Sequence, residues 1–143
     1  MTKSYEAIRN NIKNIPSDSE VVNLKTLCVN VLQPIRNHYG LAVTVNSGYR
    51  SLEVNTLVKG SKTSDHIKGM AADIEIYGVP NIDLAKWIEK NLKFTQCILE
   101  FHELGVPNSG WVHVSYDPNN LKQQCLTAII KDGKTVYLPG FQP

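Results

Sequence analysis

Residues 64–73, Ser-Asp-His-Ile-Lys-Gly-Met-Ala-Ala-Asp, constrain the fold of this chain more than any other stretch. A histidine and an aspartate stand seven apart, and too few apolar side chains lie between them to make the segment core alone. Gly69, Ala71 and Ala72 leave room for a tight turn that returns His66 to the side of Asp73. Forty residues beyond Asp73, His113 sits in the alternating run Trp111-Val112-His113-Val114-Ser115-Tyr116, which reads as a strand with Trp111, His113 and Ser115 on one face. To meet, the three must come from a turn, the strand after it and a second strand beside that one. Neutral imidazole and carboxylate each offer a lone pair at pH 7. Two histidines and one carboxylate form a set that zinc accepts, with one tetrahedral position left for water. Either histidine alone reads more simply as a packed or surface residue.

The length of 143 residues suits one domain with one core, so 1–143 is expected to be a single domain. A net charge of +2 is too small to argue for nucleic acid and does not hinder approach to an anionic cell wall. No window reaches the ~18 apolar residues of a membrane span. The opening Met1-Thr2-Lys3-Ser4-Tyr5-Glu6 lacks the apolar core of a signal peptide. Cys28, Cys97 and Cys125 are odd in number and form no CxxC pair, which leaves them as small buried hydrophobes.

Residues 1–16 read as a possible N-terminal extension, with Tyr5, Ile8 and Ile12 spaced for a short helix. Ser17-Asp18-Ser19-Glu20 is a helix start, and Val21, Leu24, Cys28, Val31, Leu32 and Ile35 form one stripe as far as the stop at Gly40. Pro34 is expected to bend or loosen the last turn. Leu41–Asn46 reads as a strand leading into the turn Ser47-Gly48-Tyr49-Arg50-Ser51, followed by a short helix over 52–58 and an exposed loop over 59–63. Ala71–Ile76 is a strand with Asp73 and Glu75 on one face. A second amphipathic helix runs over 82–92, with Ile82, Ala85, Ile88 (or Trp87) and Leu92 as its stripe. Gln96–His102 is a strand with Glu100 and His102 on one face, and 105–110 is a Gly/Pro/Asn/Ser loop. Residues 126–138 form a C-terminal hairpin turning at Asp132-Gly133. Helices beside short strands without βαβ alternation make the fold class α+β.

These motifs carry a resemblance. Ser47-Gly48-Tyr49-Arg50-Ser51, Ser64-x-His66-x-x-Gly69-x-Ala71-Ala72-Asp73 and Trp111-Val112-His113-Val114-Ser115 resemble the M15 zinc peptidases of peptidoglycan, in that family's order. Val31-Leu32-Gln33-Pro34-Ile35-Arg36 and Gln96-Cys97-Ile98-Leu99-Glu100 resemble its short, phage-associated branch. The likeness spans most of residues 20–128. It implies a small antiparallel sheet flanked by helices, the fold shared with the Hedgehog signalling domain and the D-Ala-D-Ala peptidases. It also implies one zinc on His66, Asp73 and His113, and hydrolysis of an amide bond in a peptidoglycan stem peptide by a D-Ala-D-Ala carboxypeptidase or by an L-Ala-D-Glu or cross-bridge endopeptidase.

A hydrolase needs a base for the attacking water. Many M15 relatives place an acid three positions before the last histidine, where this chain has Gly110. Glu100 matches the glutamate of the short branch and is the implied base, with Glu103 and His102 as rivals. Arg50 resembles the family's substrate-binding arginine, suited to a peptide carboxylate or an oxyanion. Ser47, Ser64 and His102 are further candidate substrate contacts, although Ser64 and Asp65 also read as turn residues that hold His66. Trp111 reads equally as a cleft wall or as core. The expected setting is a monomeric phage endolysin, in the host cytoplasm until it reaches the cell wall at lysis, or a virion-borne lytic domain. The alternative is a zinc-holding module of the same fold without turnover.

Overall fold

The computed structural model describes residues 1–143. Its helices are α1 (Tyr5–Arg9), α2 (Asp18–Leu27), α3 (Gln33–Tyr39), α4 (Leu52–Leu57) and α5 (Asn81–Asn91). Its strands are β1 (Thr44–Ser47), β2 (Ala71–Glu75), β3 (Gln96–Glu100), β4 (Trp111–Ser115), β5 (Gln124–Lys131) and β6 (Lys134–Pro139). They form one six-stranded sheet in the order β1-β2-β4-β3-β5-β6. The fold is α+β. Every pair is antiparallel except β3 with β5, which run parallel because the chain crosses β3 before starting the hairpin.

Strand alternation divides the sheet into two faces. Ala72, Ile74, Cys97, Leu99, Val112 and Val114 point into a core shared with Leu27, Val31 and Ile35 on one side and Leu84, Ala85 and Ile88 of α5 on the other. The opposite face carries Asp73, His113, Ile98 and Glu100 and is not covered by these helices. Ser17 starts α2 with a capping box, its hydroxyl accepting from Glu20 N–H while Glu20 accepts from Ser17 N–H.

The helix beyond α2 departs from the expectation. Cys28–Leu32 form a wide π turn in which Gln33 N–H donates to Cys28 O, and α3 continues regularly to Gly40. Pro34 has no N–H to give to the preceding turn, so the loosening falls before it and not in the last turn. Strand β1 begins at Thr44, later than expected, and β3 ends at Glu100 because Phe101 adopts φ +55. In α5 the fully buried positions are Leu84, Ala85 and Ile88, while Ile82, Trp87 and Leu92 only flank the core. Cys97 is buried and Cys28 and Cys125 partly so, all three free. The C-terminal hairpin turns at Asp132 and Gly133, both at positive φ, as a two-residue turn requires.

The N-terminal segment is shorter in helix and more closely attached than its sequence suggested. Helix α1 spans five residues and buries Ala7, leaving Tyr5 and Ile8 exposed. Met1 O accepts from Tyr49 N–H at 2.9 Å, and Asn14 donates to Tyr49 O at 3.1 Å and accepts from Ser51 N–H at 2.7 Å. No helix is long and apolar enough to cross a membrane.

Leu99 is fully buried at the centre of the helix-packed face. Leu99→Ala is expected to lower the unfolding free energy by about 2–5 kcal/mol in urea denaturation, with an unchanged m-value.

Candidate metal centre

Three short segments build the site. The turn 64–70 carries His66, β2 carries Asp73, and β4 carries His113 directly across the ladder from Asp73. Gly69 makes the turn possible: at φ +71, a Cβ there would stand 2.6 Å from Glu20 O. Ser64 Oγ accepts from His66 N–H at 3.2 Å and steadies the same turn.

The three side chains converge and are nearly closed to solvent, at 2%, 5% and 8% exposure for His66, Asp73 and His113. Asp73 Oδ1 lies 3.2 Å from His66 Nε2 and 3.0 Å from His113 Nδ1, and the two nitrogens are 3.3 Å apart. His66 Nδ1 donates to Gly48 O at 2.7 Å, which orients the ring with Nε2 toward the other two side chains. Three potential ligand atoms thus face one point. With bonds of about 2.0–2.2 Å, tetrahedral zinc ligands stand roughly 3.3–3.6 Å apart, close to what these atoms already show. The donor set fits a metal of zinc's preferences.

Asp73 has a second anchor. Its Oδ2 accepts from Arg50 Nη2 at 3.0 Å, so one oxygen serves the histidines and the other the guanidinium. Burial alone would raise the Asp73 carboxyl, but hydrogen bonds and charge from His113 and His66 outweigh it and hold the group below the usual carboxylate range. Burial would lower the His113 imidazole, yet Asp73, Glu100 and Asp65 together raise it.

Arg50 is fastened on three sides. Nε donates to Ser47 Oγ at 2.8 Å, Nη1 to Asn55 Oδ1 at 3.3 Å, and Nη2 to Asp73. Ser47 therefore acts on Arg50 and does not line the cavity. Asn55 is 1% exposed, and its Nδ2 donates to Ser61 O at 2.9 Å, which ties Arg50 to the loop after α4. The sequence reading missed Asn55, and the signal available was a polar residue on the inner side of a short helix just after the arginine. It also treated Asn14 as part of an extension, although Asn14 grips both residues flanking Arg50.

A cavity of about 810 Å³ opens over the site, lined by Arg50, Ser64, His66, Asp73, Glu100 and His113, with the 58–65 loop at its rim. Phe101 and Trp111 wall it, their rings 5.3 Å apart. Glu100 lies on the same sheet face as His113, one strand away. Burial, then the charge of Asp73, push its carboxyl up to about 7, against the opposing pull of His113 and Arg50. His102 and Glu103 fall outside the cavity. The left-handed Phe101 ends the alternation, so His102 does not share a face with Glu100 as expected.

Gly110 cannot carry an acid. At φ +67, its Cβ would stand 1.8 Å from Glu100 O. The end of β3 fills the space where an acid at that position would begin.

Among known families, the one described as Peptidase M15 matches residues 1–115 of the 143. The match takes in residues 1–16, which the sequence reading had set apart. No curated protein matches the chain.

Gly110→Ala is expected to lower the unfolding free energy by about 2–4 kcal/mol in chemical denaturation, from positive φ plus collision. Gly78→Ala, at φ +82 with nothing within 4 Å, isolates the backbone part and should cost about 1 kcal/mol.

Proposed function

We propose, from the premise that this chain belongs to the M15 family of zinc-dependent peptidases, that it hydrolyses an amide bond in the stem peptide of bacterial peptidoglycan as a phage endolysin or comparable lytic enzyme. The observation that carries this reading is the convergence of His66, Asp73 and His113 on one wall of a cavity that Glu100 and Arg50 also line.

His66 Nε2, Asp73 Oδ1 and His113 Nδ1 would hold the zinc ion, which when bound polarises the scissile carbonyl and acidifies water. Glu100 takes the proton from the attacking water and returns it to the leaving amine. Burial raises the Glu100 carboxyl above the ordinary carboxylate range, which suits a group that must give the proton back as well as take it. Arg50 holds Asp73 Oδ2 through one Nη2 hydrogen, and its bond to Asn55 uses one Nη1 hydrogen. The remaining two are available to a peptide carboxylate or to the developing oxyanion. Asn14 and Asn55 keep that guanidinium in place. Phe101 and Trp111 exclude water from one side of the reacting centre.

The alternative of a metal-holding module without turnover rested on Gly110. The collision at that position gives the glycine a steric reason, and Glu100 supplies a base from elsewhere, so the active reading is favoured.

Purified protein is expected to carry about one zinc per chain by elemental analysis, and His66→Ala and His113→Ala to lose it. Incubated with muropeptides, the zinc-loaded protein should yield fragments cut at one amide position by mass spectrometry. Intact muropeptides, beside an active control enzyme, would overturn the substrate assignment.

Glu100→Gln should keep its zinc and lose about 10²–10⁴-fold in kcat/KM. The wild-type rate should fall as pH drops through about 7 or somewhat below, since protonated Glu100 accepts no proton and a bound cation lowers its titration. Stability moves the other way. A carboxyl raised from 4.5 to about 7 favours folding when protonated, and that contribution is lost as pH rises through 7. Metal-free Glu100→Gln should therefore melt higher than wild type at pH 8 and equally at pH 4.

A further inference from the structure

We infer that the cavity contains a second subsite, on the face formed by β3, β5 and β6, that takes the neutral glycan to which a stem peptide is attached. The inference rests on the peptidoglycan reading above.

The face that bears the metal set continues sideways. Asp73 pairs with His113, His113 with Ile98 and Ile98 with Leu126. One row over, Trp111 pairs with Glu100, Glu100 with Ala128 and Ala128 with Tyr137. Side chains two apart share a face. Gln96, Ile98, Gln124, Leu126, Thr135 and Tyr137 accordingly line the same cavity as His66 and His113. Strand β6 lies three strands from β4, about 14 Å at a strand spacing of about 4.8 Å. The two residues flanking a cut bond span only about 7 Å when extended. The far end of this arm therefore meets a part of the substrate remote from the bond being cut.

Its chemistry selects that part. The charged residues of the cavity, Arg50, Lys59, Asp65, Asp73 and Glu100, all belong to the metal centre or its rim loop, and past Glu100 there are none. The free carboxylates of a stem peptide would find no cation here. What the arm offers is neutral: two carboxamides, a hydroxyl and an aromatic face. Gln96 Nε2 donates to Gln124 Oε1 at 2.8 Å, which leaves Gln96 Oε1 to accept and Gln124 Nε2 to donate. Thr135 is exposed, and Tyr137 is 54% exposed. An N-acetylated sugar has matching parts: an acetamide and hydroxyls for the amides, and a C–H face for the ring. The family match ends at residue 115, so the β5 and β6 part of this arm, with Gln124, Thr135 and Tyr137, lies outside the matched residues, while Gln96 on β3 lies within them.

The test compares two substrates that share one stem peptide, one free and one linked to its disaccharide. Wild type should cleave the linked form with the higher kcat/KM. Tyr137→Ala, at a half-exposed position, should lower the linked-to-free ratio about tenfold, the size of one aromatic contact, and Gln124→Ala should lower it in the same sense. A ratio unchanged in both variants overturns the subsite, as does an equal loss on both substrates, which would assign the arm to peptide. Titration of metal-free protein with a soluble N-acetylglucosamine oligomer, followed by amide NMR, provides a readout without turnover. Shifts at residues 96, 124, 135 and 137 support the proposal, and their absence overturns it. If wild type cleaves neither substrate the function reading fails, while the titration still decides the subsite.

Discussion

The structure turns on one buried carboxylate. Asp73 is removed from water at a cost that must be met by partners, and it has them on both oxygens: two imidazoles at Oδ1 and a guanidinium at Oδ2. The partners arrive from three places along the chain. His66 comes from a turn that only a glycine allows, His113 from the neighbouring strand, and Arg50 from the loop after β1, while Gly48 in that loop fixes the His66 ring. Remove any one and an uncompensated charge or lone pair is left in a largely buried site. The order of β1, β2 and β4 in the sheet follows from this need as much as from the core behind it.

The same burial explains how the neighbouring Glu100 differs from Asp73. Both carboxyls are largely withdrawn from solvent, but Asp73 has direct donors and is driven well down, whereas Glu100 has none and is driven up to about 7. Two acids on adjacent parts of one face therefore reach opposite states near neutrality, one fixed as an anion and one poised to titrate. Gly110 belongs to this arrangement. By letting the chain pass within collision distance of Glu100 O, it packs the end of β3 against the start of β4 and leaves room for one acid only.

What could be read from the sequence was local or chemical. His66, Asp73 and His113 stood out because donor side chains occurred where small residues or strand alternation gave each a defined direction, and the structure brings them to one point. The capping box at Ser17, the end at Gly40 and the hairpin at Asp132-Gly133 were legible because each depends on residues within a turn of one another. The rest was hidden by distance. Nothing near Gln124 announces that β5 will lie parallel to β3, since that pairing depends on where the chain returns. Phe101 gives no warning of its left-handed conformation, and a strand read through to His102 put the wrong side chain beside Glu100. Pro34 was rightly read as a disturbance but placed a turn late, because the missing donor is felt by the residues before it.

The deepest of these omissions concerns Arg50, whose usefulness depends on residues that carry no chemistry. A guanidinium loses rotamer freedom when it is held in one orientation, and a single ion pair to Asp73 would leave it free to swing. Here Ser47 and Asn55 take two more of its donors, and Asn14 and Met1 clamp the backbone around it from a segment that looked like a loose extension. The consequence runs outward as well. Asn55 also holds Ser61, and Gly60 passes so close to Asn55 that a Cβ would lie 2.1 Å from its Oδ1. The rim loop of the cavity and the orientation of Arg50 are thus parts of one hydrogen-bonded unit, and a change in that loop reaches Asp73 through two side chains. Sequence variation at 59–63, on an exposed loop where substitutions are ordinarily tolerated, is coupled in this fold to the geometry of the His66, Asp73 and His113 cluster.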